Sequence, residues 1–122
     1  MANTIDERAF CLLCDVIRFV RTVKPEPGVR RLIDQLVAST GSIAANRQEA
    51  LGASTRREFV RFNLIAMRSA NETTLWLRAF GEVQIGEPRA AAALLGEARQ
   101  VARILGAIVL KAKSTPAPRR PV

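Results

Sequence analysis

The sequence predicts an all-α protein, folded as an antiparallel up-down-up-down bundle of four helices. Three observations lead to this prediction. Ala, Leu and Arg dominate the chain and Tyr is absent, a composition that favours helix over sheet. Apolar residues recur at alternating spacings of three and four in each long segment. Glycines and prolines cluster between those segments, and 122 residues suffice for one core but not for two ordinary domains.

The first helix is predicted over residues 5–23. Its apolar face is formed by Ala9, Leu12, Leu13, Val16, Val20 and Val23. The segment KPEPG follows at residues 24–28, and a proline disfavours helical geometry in the residue before it. We therefore expect the first helix to end there.

The second helix is predicted over 28–51 and the third over 55–80. Gly52 stands where a left-handed C-cap belongs. Thr55 and Glu58 then fit a capping box, in which each side chain accepts from a backbone amide at the start of helix three. The third helix has the most regular apolar seam, at Phe59, Phe62, Ala66, Ser69, Thr73, Trp76 and Phe80. Such a seam suits packing along a neighbouring helix at a shallow angle.

The fourth helix is predicted over 88–113, with Pro88 at or near its first position. The bundle would thus occupy residues 1–113. Residues 114–122 contain three prolines and two arginines without apolar periodicity, which predicts a disordered basic tail. Among the aromatic residues, we expect only Phe19 to be partly exposed and Phe10 and the others to lie in apolar seams.

The net charge is +8, from nineteen basic residues of which sixteen are Arg. An excess of this size attracts polyanions, nucleic acid first among them. The alternative is that the arginines merely solvate the surface of an Ala- and Arg-rich chain. The residues that we predict to contact nucleic-acid phosphates are Arg30, Arg31, Arg47, Arg56, Arg57, Arg61 and Arg68.

The joint between helices two and three, SIAANRQEALGASTRREF, is the only stretch that resembles a phosphate loop. A P-loop needs GxxxxGK[ST] after a strand, whereas Gly52 follows a helix and no Lys lies between Lys24 and Lys111. The amides at the start of helix three, with Arg56 and Arg57, could still meet an anion. We favour the alternative that Thr55 and Glu58 already satisfy those amides.

The sequence gives little support for an enzymatic activity. The chain has no His, which removes Ser-His and Cys-His pairs and the His ligands of di-iron bundles. Cys11 and Cys14 supply only half of a thiolate zinc site and are interpreted as reduced packing residues. We expect no enzyme activity, cofactor or metal. Arginines interrupt every apolar stripe, so we also expect no membrane span and a cytoplasmic location.

A second set of polar residues is predicted to form contacts between helices or subunits, because buried polar groups need partners. The set comprises Gln35, Ser42, Asn46, Glu49, Thr55, Glu58, Ser69 and Glu72. An acid-base pair or a hard-metal site among these glutamates is the alternative, and the capping and helix-end positions of Glu58 and Glu49 argue against it.

The same residues carry a family resemblance. In order and spacing, the stretch from Gln35 to Glu72 resembles the four-helix-bundle proteins encoded in intervening sequences of bacterial large-subunit ribosomal RNA genes. That family is in turn similar to the accessory variability determinant proteins of diversity-generating retroelements. The matching positions are Gln35, Ser42, Ile43, Asn46, Glu49, Gly52, Thr55, Glu58, Phe59, Phe62, Ile65, Ala66, Ser69 and Glu72.

The resemblance implies a ring-shaped homopentamer of four-helix subunits. It also implies partners, since the retroelement relatives bind a reverse transcriptase and nucleic acid with such a basic barrel. Where the family usually shows two arginines this chain has Val37 and Ala38, and where it usually shows a glycine this chain has Ala50. The missing basic pair weakens the expectation of a nucleic-acid contact on helix two.

Overall fold

Four α-helices make up the regular structure of residues 4–114, the part of the chain that the computed structural model describes. They are α1 (Ile5–Val20), α2 (Val29–Leu51), α3 (Arg56–Glu82) and α4 (Pro88–Ser114), and this part contains no strand. The all-α, four-helix prediction is therefore confirmed. Helix α1 ends three residues earlier than predicted, and α3 continues past Gly81 to Glu82. Ser114 belongs to α4, and the rest of the predicted tail, 115–122, lies outside the described residues.

The joint between α2 and α3 is a tight connection closed by side-chain caps. The hydroxyl of Thr55 accepts from the Glu58 amide at 3.1 Å, and the Glu58 carboxylate accepts from the Ser54 amide at 3.2 Å. The predicted cap is thus present, with the return bond reaching one residue before the N-cap. The left-handed cap predicted at Gly52 is wrong, because its φ is −91°. With φ −91° and ψ 3°, Gly52 has a backbone conformation that any residue can adopt, so this position needs no glycine.

The helices are arranged so that each packs on two neighbours: α1 and α3 flank α2, and α3 and α1 flank α4. Neighbours run antiparallel, as paired positions show. On α1 and α2, Asp6 meets Arg47 at one end while Leu13 faces Gly41 further along. Between α3 and α4, Arg56 meets the carbonyl of Ala112. Short connections force this arrangement, because each helix must turn back beside the one before it.

The core is built mainly from Leu, Val, Ala and Phe side chains on the inner stripe of each helix. On α3 the buried stripe is Asn63, Ala66, Ser69, Ala70, Thr73, Leu77 and Phe80. Three residues of the predicted seam, Phe59, Phe62 and Trp76, are only half-buried. At these positions the buried face of α3 is rotated about the helix axis relative to the predicted face. Asn63 and Leu77 take inner positions in their place.

The two aromatic residues of α1 lie opposite to their predicted positions. Phe19 is 6% exposed, and its ring centroid lies 6.0 Å from that of Phe80. Phe10 is 60% exposed. Each apolar face of α1 has helical spacing, so periodicity alone did not identify the face that meets the core. The prediction that Phe19 is partly exposed and Phe10 is packed is wrong.

Candidate nucleic-acid interface

Six of the seven arginines predicted to contact phosphates are exposed: Arg30, Arg31, Arg56, Arg57, Arg61 and Arg68. Some are partly engaged with the protein itself. The Nε of Arg30 donates to the carbonyl of Pro25 at 3.2 Å, and the Nε of Arg56 donates to Ala112 at 3.1 Å. Arg61 lies 5.7 Å from the ring centroid of Phe62. These contacts orient the side chains and leave the charge of each guanidinium open to solvent.

Arg47 is the exception, because its side chain is buried. Its Nε and Nη2 donate to the two carboxylate oxygens of Asp6 at 2.9 and 3.0 Å, a bidentate pair between α2 and α1. Its Nη1 donates to Asn63 Oδ1 at 2.7 Å, and Asn63 Nδ2 donates to the carbonyl of Phe59. Arg47 therefore joins three helices in the interior. It is corrected from an outward-facing phosphate contact to an internal ion pair.

Some of the polar residues of α2 and α3 that were predicted to form contacts are joined by hydrogen bonds. Ser42 and Ser69 share a hydrogen bond of 2.7 Å between their hydroxyls, and Asn46 donates to Ser42 within α2. On α3, Trp76 donates to Glu72 at 3.3 Å. Gln35 and Glu49, the remaining members of the set besides the cap, make no side-chain hydrogen bond among residues 4–114 and stay predicted contacts.

Sequence reasoning missed a buried hydroxyl cluster beside this serine pair. Thr73 Oγ1 donates to Ser39 Oγ at 2.9 Å, and Thr40 Oγ1 lies 3.4 Å from Thr73 Oγ1. All three residues are buried, and each hydroxyl also reaches a backbone carbonyl of its own helix. The signal in the sequence that could have revealed this cluster is the spacing of its Ser and Thr residues, which places them on the inner faces of their helices. No buried side-chain nitrogen or oxygen in the described part lacks a partner.

Charge is distributed unequally between the two halves of the bundle. Helices α1 and α2 carry five basic and five acidic residues, whereas α3 and α4 carry ten basic and four acidic ones. The excess of six positive charges on α3 and α4 accounts for most of the net charge of +8. The candidate interface for a polyanion is therefore the outer surface of α3 and α4.

One of the four acidic residues of α3 and α4, Glu97, forms an ion pair with α1. Arg8 donates through Nε and Nη2 to the carboxylate of Glu97 at 3.1 and 2.6 Å, and through Nη2 to Gln100 at 2.7 Å. The hydrogen bond that Arg8 donates to Glu97 raises the pKa of Arg8 above its ordinary value, and the charge of Glu97 adds to this while burial opposes it. Glu97 thus faces α1 and does not offset the arginines on the other side of α4.

The remaining chemistry-bearing groups form no further site. Cys11 is exposed, Cys14 is half-buried, and both are free thiols. Within residues 4–114, no group of three or more Cys, Asp or Glu side chains is placed to hold a metal ion. None of the described helices is apolar over a length that would cross a membrane.

The fold and the charge distribution describe a small all-α, four-helix protein with one neutral half and one basic half. A family model described as "23S rRNA-intervening sequence protein" matches residues 2–107. The chain belongs to this 23S rRNA-intervening sequence protein family, as the stretch from Gln35 to Glu72 predicted.

A solved structure has the same fold. It is a protein with unknown function from the S23 ribosomal protein family of Bacteroides thetaiotaomicron VPI-5482, with a TM-score of 0.75. The alignment covers 87% of this chain and 98% of that one at 19% sequence identity. No curated protein matches the chain. At this identity the similarity concerns the fold alone.

Proposed function

We propose that this protein is a non-enzymatic, basic scaffold that assembles as a ring-shaped homopentamer and binds RNA or DNA through phosphate contacts, without regard to sequence. The observation that carries the proposal is the excess of basic over acidic residues on α3 and α4, ten against four. Phosphate contacts from Lys and Arg supply most of the affinity of non-specific nucleic-acid binding.

The state of the exposed arginines supports phosphate binding over a purely solvated surface. None of the six exposed arginines of the predicted set has a carboxylate within ion-pair distance among the described residues. They are Arg30, Arg31, Arg56, Arg57, Arg61 and Arg68. A basic face that served only solubility would gain from interspersed acids, which reduce repulsion between like charges. The face also lacks a row of exposed aromatic rings on which bases could stack, which favours recognition of the backbone.

Oligomerisation is supported by the outer face of α1. Phe10 and Ile17 are 60% and 37% exposed, and they lie two turns apart on the same side of the helix with half-buried Cys14 between them. An exposed apolar stripe of this kind supports contact with a second subunit. Five copies of a chain of charge +8 would carry a nominal +40, which strengthens the field around the ring.

A mobility-shift titration with labelled single-stranded RNA and duplex DNA, at about 50 and 200 mM salt, tests the nucleic-acid part. We expect retention at the lower salt and a loss of affinity of at least tenfold or so at the higher salt. Absence of retention at about 50 mM salt would refute this part. Native mass measurement tests the pentamer independently, and a monomer at the working concentration would refute it.

The second candidate is a structural or protein-interaction module without a nucleic-acid role. The exposed Phe10 and Ile17 favour it, because an apolar stripe recognises protein and not phosphate. A reverse transcriptase is the partner to test first, on the resemblance to retroelement accessory proteins. A pull-down that retains this enzyme after complete nuclease treatment would support the second candidate. Retention that disappears with the nucleic acid would support the first.

A further inference from the structure

The outer groove between α3 and α4 concentrates three arginines that are absent from the sequence-predicted set. Arg78 lies on α3, and Arg99 and Arg103 lie on α4, one turn apart. Two adjoining stretches of the groove share Arg99. The first, of about 390 Å³, is also lined by Met67, Asn71, Thr74, Ala102 and Arg103. The second runs from Arg99 past Arg78 to the loop that joins the two helices.

These arginines have no counter-charge. No Asp or Glu oxygen in the described part of the chain lies within ion-pair distance of Arg78, Arg99 or Arg103. The one acid among the groove residues is Glu82, at the loop end. By contrast, Arg8, Arg18 and Arg47 each pair with a carboxylate. The groove therefore brings three unpaired cations together between two helices.

Their spacing works against the stability of the isolated protein. Arg99 and Arg103 stand at positions i and i+4 of one helix, where like charges repel. A carboxylate at either position would turn this repulsion into attraction. A destabilising local arrangement, such as two like charges at i and i+4, points to a functional role of those residues when no other contact compensates for it.

The groove is suited to a phosphodiester backbone in particular. Cβ atoms at i and i+4 lie about 5 to 6 Å apart, so two guanidinium groups can reach successive or opposite phosphate oxygens. The planar guanidinium binds phosphate bidentately, and the exposed amide of Asn71 adds a donor that makes no hydrogen bond in residues 4–114. None of the residues lining the groove is aromatic, so a base has no ring to stack on.

We infer that the α3/α4 groove is the main phosphate-binding track of this protein, with Arg99 and Arg103 as its principal contacts and Arg78 extending it toward the α3/α4 loop. The ligand class is the sugar-phosphate backbone of a nucleic acid. This inference rests on the proposed function and locates it on a surface different from the α2 arginines and the start of α3.

The test compares two charge-matched double variants of the full chain. Arg99→Gln/Arg103→Gln removes two charges from the groove. Arg18→Gln/Arg21→Gln removes two charges from the C-terminal end of α1, where neither side chain lines the groove. All four side chains are exposed, so both variants are expected to keep the wild-type circular dichroism spectrum and melting temperature. Binding of a labelled oligo-uridine RNA is measured by fluorescence anisotropy at several salt concentrations.

We expect the groove variant to bind about tenfold or more weakly than the control variant at about 50 mM salt. Its plot of log affinity against log salt should flatten by about 1.4, since each lost phosphate contact on a single strand removes about 0.7. A control variant that loses as much as the groove variant, or more, would overturn the groove assignment and leave the proposed function standing. Wild-type protein that does not bind would overturn both.

Arg99→Lys/Arg103→Lys gives a second test, because it keeps the charge and removes the bidentate fork. We expect its affinity to lie between those of the wild type and the glutamine variant. Affinity equal to that of the glutamine variant would mean that the charge of these residues contributes nothing, which contradicts the assignment.

Discussion

The internal pair between Arg47 and Asp6 gives the sharpest test of how this bundle is stabilised. Replacing Arg47 by Met keeps most of the aliphatic stem and removes the guanidinium. Asn63 is 0% exposed, so its Oδ1 would lose its donor without access to water. An unsatisfied buried acceptor of this kind costs about 1 to 3 kcal/mol.

Asp6 adds a smaller contribution, because its side chain is 31% exposed and can recover water. For a partly exposed ion pair this loss is about 1 kcal/mol or less. Together the two effects predict that Arg47→Met lowers the free energy of unfolding by about 1 to 4 kcal/mol, which overlaps the lower end of the cost for breaking a fully buried pair. For a domain of this size the melting temperature should fall by about 10 °C.

The assay is urea unfolding followed by far-UV circular dichroism, at one fixed protein concentration because assembly would contribute by mass action. Arg68→Met is the matched control, since Arg68 is exposed and has no ion-pair partner in the described residues. We expect the control to stay within about 0.5 kcal/mol of wild type. If Arg47→Met also stays within that margin, the pair does not stabilise the fold and the reasoning fails.

A double-mutant cycle separates the pair from the rest of the site. Asp6→Asn keeps the shape of the side chain and removes its charge, so Arg47 is left as a buried cation without a counter-ion. Because both variants break the same interaction, Asp6→Asn/Arg47→Met should cost less than the two single losses combined, by about 1 kcal/mol or more. Strict additivity would show that the two side chains do not act on each other.

Two further pairs of substitutions test the loops and caps. Gly86→Ala should destabilise the protein by about 2 kcal/mol, because φ is +79° and a Cβ would lie 2.5 Å from the buried ring of Phe19. Gly52→Ala should be neutral or stabilising by up to about 1 kcal/mol, because φ is −91° and the nearest atom to a Cβ is the Glu49 carbonyl oxygen at 3.8 Å, an ordinary van der Waals contact. Equal melting temperatures would contradict this. Thr55→Ala should cost about 1 kcal/mol in urea unfolding because it removes the α3 cap, and Ser54→Ala should change little, since Ser54 contributes its backbone amide. Equal losses would refute the cap.

The helices and their order follow from local properties of the sequence. Apolar spacing, the prolines after α1, the Thr55 cap and Pro88 each act within a few residues, so the predicted bounds lie within three residues of those in the structure. Membership of the family also follows from a local stretch, Gln35 to Glu72, because the polar residues there recur at fixed spacing along two helices.

The rotation of each helix about its axis was decided only by the tertiary structure. On α1, the faces of Phe10 and Phe19 are both apolar, and the neighbours α2 and α4 determine which one is covered. The same holds for Arg47, whose burial depends on Asp6 and Asn63 lying opposite it on two other helices. A sequence shows a cation at this position and gives no sign of its partners.

For the α3/α4 groove, too, one part was determined by the sequence and another only by the tertiary structure. The sequence alone determined that the chain carries sixteen arginines and an excess of positive charge. Which of them share a surface depends on the antiparallel register of α3 and α4, which places Arg78 beside Arg99 although they are far apart in the chain. Composition fixes the amount of charge because it is a sum over residues. Only the packing of helices fixes where that charge is concentrated, because it depends on distances between elements that no local pattern encodes.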